Sequence, residues 1–358
     1  MLKYFTGSFI ATVFGLILAS GVGYYYSGTT AGALQALFIA AVLAVLEISL
    51  SFDNAIVNAV VLKEMTPIWR QRFLTWGMLI AVFGMRLIFP LAIVAVVAKI
   101  NPWEALMMAA FKPDQYASLM TSAHLAVAAF GGTFLLMVTL RYFYDETKDI
   151  HWIAPIEKPL AALGKIDAIE IGLTLLTLMI LSSFIATDTE QLTFILAGMG
   201  GLITYVVTDG IGGVLEMSQE NMKDMHKASA GMFLYLEVLD ASFSFDGVVG
   251  AFAITHNLFI IMIGLSIGAF FVRSLTILFV EKETLSKFLY LEHGAFYAIG
   301  CLAMIMLMDP FLHIPEWVTG LLGAFVILIA FYWSVRFPGA PSRVRHQESA
   351  EPHKPAIH

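Results

Sequence analysis

Between Ala31 and Leu62 the only charged residues are Glu47 and Asp53, held in the apolar phrase LEISLSFDNAI. A second phrase, VLDASFSFDGV, carries Asp240 and Asp246 in a similar setting. A carboxylate at the centre of a membrane helix costs roughly 2.5–3.5 kcal/mol on the insertion scale, so four cost on the order of 10 kcal/mol before their mutual repulsion. A bland helix contact would use Gly, Ala or Ser. A bound cation removes the contradiction, because carboxylate, hydroxyl, amide and carbonyl oxygens are the ligands of hard divalent ions such as Mg²⁺, Ca²⁺ and Mn²⁺. The candidate ligands are Glu47, Asp53, Asn54, Asp240 and Asp246. A proton relay and a structural polar core are the alternatives that the same residues leave open.

Other polar groups cluster around these. Ser49, Ser51, Ser242 and Ser244 are second-rank candidates, either as ligands or as small residues that permit close helix packing. Glu237, one turn before Asp240, is a supporting acid or a proton site. Arg86 and Arg273 are candidate internal counter-ions, or else they snorkel or cap a neighbouring helix. His124 and His293 lie near span ends, as interfacial histidines or coupling groups. Residues six apart on a helix differ by about 240° in azimuth, so Glu47 and Asp53 do not share a face. Either the helix breaks near Ser-Phe-Asp, or the two carboxylates reach different neighbours.

The elements that must position these groups are membrane helices. Of 358 residues, 59% are hydrophobic and only 13% charged, with mean hydropathy +0.82, against about a quarter charged in a soluble domain. The fold class is all-α and polytopic. With roughly 20 apolar residues per span, ten spans are expected at 8–26, 33–62, 73–98, 120–140, 168–186, 192–208, 231–254, 258–280, 289–308 and 316–335. The first is read as a retained span, not a signal peptide. With that count, 16 of the 20 Lys and Arg residues fall on one side and two (Lys99, Lys112) on the other, while Arg86 and Arg273 lie within spans. The positive-inside rule then puts both termini in the cytoplasm, in a bacterial plasma (inner) membrane. The net charge of −7 carries no implication for nucleic acid, and the single Cys301 supports neither a disulfide framework nor a zinc cluster.

Residues 141–167 read as a cytoplasmic linker of mixed charge, a solvated connector or else a regulatory element. They divide a first half (1–140, completed by the fifth span at 168–186) from a second (187–336), and 337–358 reads as a disordered tail whose histidines are too loosely spaced for a metal site. The halves echo one another. VLEISLSFDN (45–54) and VLDASFSFDG (238–247) share six of ten positions. Gly77 and Arg86 correspond to Gly264 and Arg273, and His124 and Gly131 to His293 and Gly300, in the same order. A five-span unit is odd, so the second copy enters the membrane from the opposite side, giving an inverted repeat with its site expected at the midplane.

These motifs resemble those of the TerC family of integral membrane proteins, including its YkoY-type relatives. The family's glutamate followed six residues later by Asp-Asn is matched by Glu47 and Asp53-Asn54. Its second pattern is matched by Asp240, Phe243 and Asp246, then by Ala253-Ile254-Thr255 and Phe259-Ile260, with Arg86 and Arg273 downstream. The likeness covers about 46–90 and 237–300; Gly247 stands where a serine is usual and His256 where an acid is common. The resemblance implies metal-ion transport with Mn²⁺ export as the activity, the ion being substrate and not a prosthetic group, and an association with tellurite resistance. Alternating access, with a proton exchanged for the ion, is the expected mechanism. A proton-coupled exporter of a small organic cation is the competing transporter. An intramembrane aspartyl protease would carry Gly-x-Gly-Asp, which neither Asp53 nor Asp246 has. The expected partners are the bilayer, the metal ion and protons.

Overall fold

A computed structural model describes residues 2–148, 150–216, 222–252, 254–282, 287–312, 314 and 316–337. Helix accounts for 86% of the structure and no strand occurs among the described residues. The N-terminal helices are α1 (Leu2–Ser27), α2 (Thr30–Leu50), α3 (Phe52–Glu64) and α4 (Pro67–Arg72). Two π-helical segments follow, Phe73–Gly77 and Ile80–Ile88, and lead into α5 (Phe89–Ala98). The chain continues through α6 (Pro102–Phe111), α7 (Pro113–Ser122), α8 (His124–Phe143), α9 (Ala154–Leu163), α10 (Ile169–Ser182) and α11 (Asp188–Glu216). It closes with α12 (Met222–Phe252), α13 (Leu258–Glu281), α14 (Leu291–Met308) and α15 (Glu316–Arg336). Of the expected tail at 337–358, all but Phe337 lies outside the described residues.

Among the described residues seven helices are long and apolar enough to cross a membrane: Lys3–Ser27, Thr30–Leu50, Ile80–Ala98, His124–Phe143, Asp188–Gly210, Leu258–Glu281 and Leu291–Met308. The other expected spans fall on α10, α12 and α15. Helix α10 has only 14 residues, α12 carries Glu237, Asp240 and Asp246 in its central part, and the apolar stretch of α15 is Leu321–Arg336. Helix α1 turns Phe9, Ile10, Phe14 and Ile17 outward, as α11 does Leu192, Leu196 and Ile203. Apolar surface of that extent requires a hydrocarbon surrounding, and the chain is an integral membrane protein. The interior belongs to α3, α8, α13 and α14: 67% of the apolar stretch of α13 is buried, against 17% for α1.

Local chemistry sets the breaks. Thr29 caps α2 by accepting from the Gly32 N–H at 3.1 Å, and Asn257 caps α13 by accepting from Phe259 and Ile260. Asn101 and Glu104 form a reciprocal capping box, which starts α6 between the spans expected at 73–98 and 120–140. Pro90 has no N–H and its ring crowds the carbonyl four residues back. The turn before it is widened, so that Phe89 N–H donates to Gly84 O, five residues back. No sequence periodicity marks that π-helix. Small residues bring α13 onto α2: a Cβ on Gly264 would stand 2.9 Å from Ala40 O, and one on Gly268 2.5 Å from the Glu47 Cβ, the close approach that such residues permit in membranes.

The 141–167 segment is solvated only in part: Arg141, Asp145, Glu146, Lys158, Lys165 and Asp167 are exposed, but its middle is docked. Glu157 of α9 is 1% exposed and accepts from the N–H groups of Trp152 and Ile153, each at 3.1 Å, and from Tyr297 Oη at 3.2 Å. Lys148 Nζ lies 3.9 Å from Glu157 and 3.4 Å from the centre of the Tyr142 ring. That ring stacks on Phe296 of α14 at 3.7 Å. Of the mixed charges that suggested solvation, Lys148 and Glu157 pair with each other against α14 instead.

Candidate cation site

Span two is interrupted. Helix α2 ends at Leu50 and α3 begins at Phe52, with Ser51 between them at φ −102°, ψ 19°. The Ser51 hydroxyl donates to Glu47 Oε1 at 3.1 Å. Asp53 then sits in the first turn of α3, where the positive end of the helix dipole favours a carboxylate, and its Oδ1 accepts from the Asn54 N–H at 2.9 Å. The matching place in the second half is not broken, since α12 runs without interruption through Ser242 and Ser244.

Three contacts fix how this broken helix crosses α12. The Glu47 carboxylate lies against Gly247, where a Cβ would stand 3.3 Å from Oε2. Asn54 Nδ2 donates to Asp240 Oδ1 at 2.7 Å, and Thr66 N–H donates to Ser229 Oγ at 3.0 Å. Going forward from Glu47 to Asn54 to Thr66 means going backward from Gly247 to Asp240 to Ser229, so the two elements are antiparallel. The same register puts Asn58 opposite Glu237.

A cavity of about 40 Å³ opens along this crossing, lined by Glu47, Asn54, Asn58, Glu237 and Asp240 with Arg86 and Arg273. Glu47 is neutralised on its inner side: Arg86, 2% exposed, donates to Glu47 Oε1 through Nη2 and to Ala81 O of its own π-helix through Nη1. Arg273 donates from Nε to Leu74 O at 2.7 Å, so its partner is a backbone carbonyl. Four oxygens of this wall have no hydrogen-bond partner: Asn54 Oδ1, Asn58 Oδ1, Glu237 Oε1 and Asp240 Oδ2. Room for Glu237 Oε1 comes from Gly77, whose Cβ would stand 2.8 Å away.

Asp53 faces elsewhere. With Leu50, Gly247, Thr319 and Gly323 it lines a separate cavity of about 20 Å³. Of the two alternatives left by the spacing, both are realised: the helix breaks, and the carboxylates still reach different neighbours. Glu47 lies between the cavities, Oε1 toward Arg86 and Oε2 toward Gly247. The side chain of Asp246 lies outside the described residues.

The remaining candidates divide. Ser49 is exposed and donates to Val45 O at 2.9 Å, away from the site. Ser242 is buried and donates to Val238 O at 3.0 Å, while buried Ser244 Oγ has no partner. His124 lies 3.0 Å from Asp309. His293 is 2.9 Å from Ile150 O and 3.4 Å from Glu157. Neither histidine lines the cavity; His293 of α14 contacts the docked linker. Charge and motif alone do not single out Asn58, although its place four residues after Asn54 is a visible signal that both amides share a face of α3. No three His, Cys, Asp or Glu side chains converge as a metal set among the described residues. A cation here therefore needs amide oxygens beside the acids, and Asn54 and Asn58 have such oxygens unpartnered.

Residues 52–338 match the family described as Protein of unknown function (DUF475). The chain belongs to that family. The DUF475 match runs from the start of α3 past the end of α15, so it contains Asp53, Asn54, Asn58, Glu237, Asp240 and Arg273 but not Glu47. No curated protein matches the chain, and no solved structure does.

Proposed function

We propose that this chain carries a hard divalent cation across the membrane, by alternating access, at the crossing of the broken span two and α12. The observation that carries the reading is the pair Asn54 and Asp240. They are joined at 2.7 Å, and each also presents an unpartnered buried oxygen to a cavity with two further acids on its wall. Buried acceptors without donors are costly. An ion that takes 6–8 oxygen ligands, or six with several waters, satisfies them at once. Three acids and two guanidinium groups line this cavity, which leaves room for a positive charge. Its size, about 40 Å³, suits an ion with a water or two and disfavours an organic cation. The likeness to TerC proteins narrows the ion to Mn²⁺.

The contacts also support an inverted repeat. Aligning 45–54 with 238–247 pairs Glu47 with Asp240 and Asn54 with Gly247. The contact Glu47 to Gly247 and the contact Asp240 to Asn54 are then images of each other under a two-fold exchange of halves. In this reading α10, α12 and α15 complete ten spans with both ends in the cytoplasm. Arg86 holds Glu47 while no ion is present, and a proton on one carboxylate accompanies release.

The test is Mn²⁺ flux in proteoliposomes with titration calorimetry of the purified chain. We expect saturable flux and binding that Asp240→Asn abolishes. Unchanged binding in Asp53→Asn/Asp240→Asn would sink the reading, and flux indifferent to a pH gradient would remove the proton from it.

A further inference from the structure

The two-fold exchange that relates Glu47 to Asp240 fails one turn further on. Asn58 maps to Ala251 and Glu237 to Ala44, and both alanines are buried in apolar contacts. Among the described residues the polar wall of this cavity therefore extends from the centre toward the Glu64 end of α3 and the early turns of α12, with no matching pair on the other side. On that side Asn58 and Glu237 are 5% and 7% exposed. Both line the cavity, and each has an oxygen with no partner, Oδ1 and Oε1. The wall is shaped for the acid: Gly77, in the π-helical segment Phe73–Gly77, leaves the space that Glu237 Oε1 fills. At about 40 Å³ the cavity exceeds the roughly 10–15 Å³ that one water requires, so an ion has more than one place to stand.

We propose that Asn58 and Glu237 form a second, asymmetric cation position one helical turn from Asn54 and Asp240, occupied on the way to or from that pair. This rests on the transport reading above. The ligand is a hard divalent cation held by a carboxylate, an amide oxygen and water. The position serves the membrane face toward which α3 ends, and at the mapped positions toward the opposite face Ala44 and Ala251 offer no ligand.

The experiment compares wild type, Glu237→Gln, Asn58→Leu, Gly77→Ala and Asp240→Asn in the full chain, using Mn²⁺ as the probe. Each variant is measured for calorimetric Mn²⁺ binding, Mn²⁺ flux in proteoliposomes and thermal melting in detergent. The first three variants are expected to lose about tenfold or more in flux with only a partial loss of Mn²⁺ affinity, a loss mainly in passage. Asp240→Asn is expected to lose binding outright. Wild-type flux in both Glu237→Gln and Asn58→Leu overturns the second position and leaves the transport reading standing. A flux loss in Glu237→Gln with Asn58→Leu unaffected makes Glu237 a proton group and overturns it equally. Loss of binding in Glu237→Gln as complete as in Asp240→Asn merges the two positions into one. A wild type that neither binds nor moves Mn²⁺, Mg²⁺ or Ca²⁺ overturns the transport reading itself.

Discussion

At the scale of single residues, the pair Arg86 and Glu47 is buried on both sides, and breaking such a pair leaves one charge uncompensated. Glu47→Gln is expected to destabilise the fold by about 3–5 kcal/mol, read as a lowered melting midpoint in detergent. Glu47→Gln/Arg86→Met should recover much of that loss, and a double-mutant cycle measures the coupling. A different titration belongs to the linker. Burial pushes the Lys148 ammonium down to about 8 from 10.5, outweighing the attraction of Glu157, Glu292 and Asp145. A base whose folded value lies below its unfolded value binds fewer protons when docked, so docking strengthens as pH rises from about 8 toward 10.5. Proteolysis of 141–167 should slow between about pH 7.5 and pH 9.5, and Lys148→Met should remove that difference. The acids and Arg86 were legible because charge in an apolar run is conspicuous. Asn58 was not, because an amide there resembles any small polar packing residue until the opposite wall is known. Glu157 was hidden for the opposite reason, lying among charges that looked solvated.

At the scale of elements, the site depends on how closely α13 approaches α2. A methyl at Gly268 would stand 2.5 Å from the Glu47 Cβ and 2.9 Å from Ala44 O. Gly268→Ala should therefore force the helices apart, cost about 1–3 kcal/mol and weaken Mn²⁺ binding, whereas Gly21→Ala, with open space around it, serves as the neutral control. The linker offers a second test. Glu157→Ala removes the acceptor for two backbone N–H groups and Tyr297, and hydrogen bonds to a charged group are worth about 1.5–3 kcal/mol each. Amide exchange through α9 should accelerate at least tenfold with that of α13 unchanged, a confined effect because the contacts are confined. Apolar runs announced the seven long apolar helices, but α6, α7 and α9 fall largely between the expected spans. The one-residue break at Ser51 was legible only as one of two ways to reconcile a six-residue spacing. The π-helix around Arg86 was not legible at all, since its cause is a proline beyond its own C-terminal end.

At the scale of the whole molecule, the lopsided distribution of Lys and Arg argues that both ends of the chain lie on one side. Reporter fusions at residue 2 and after residue 337 should report the same compartment, the cytoplasm, and opposite compartments would refute an even number of spans. The internal duplication proposed above rests on acids, glycines and arginines that recur in order in the sequence. Its imperfections needed side-chain positions: Arg86 holds an acid, whereas Arg273 holds a backbone carbonyl. The docked linker has a mechanical consequence. The chain between α8 and α10 is fastened at two points, Lys148 over Tyr142 and Glu157 to Tyr297 of α14. A tether with slack lets the bodies it joins swing freely, but one pinned midway transmits torque. Any swing of α8 against α14 must load those two pins, so the sequence between the halves sets the stiffness of the joint as well as its length.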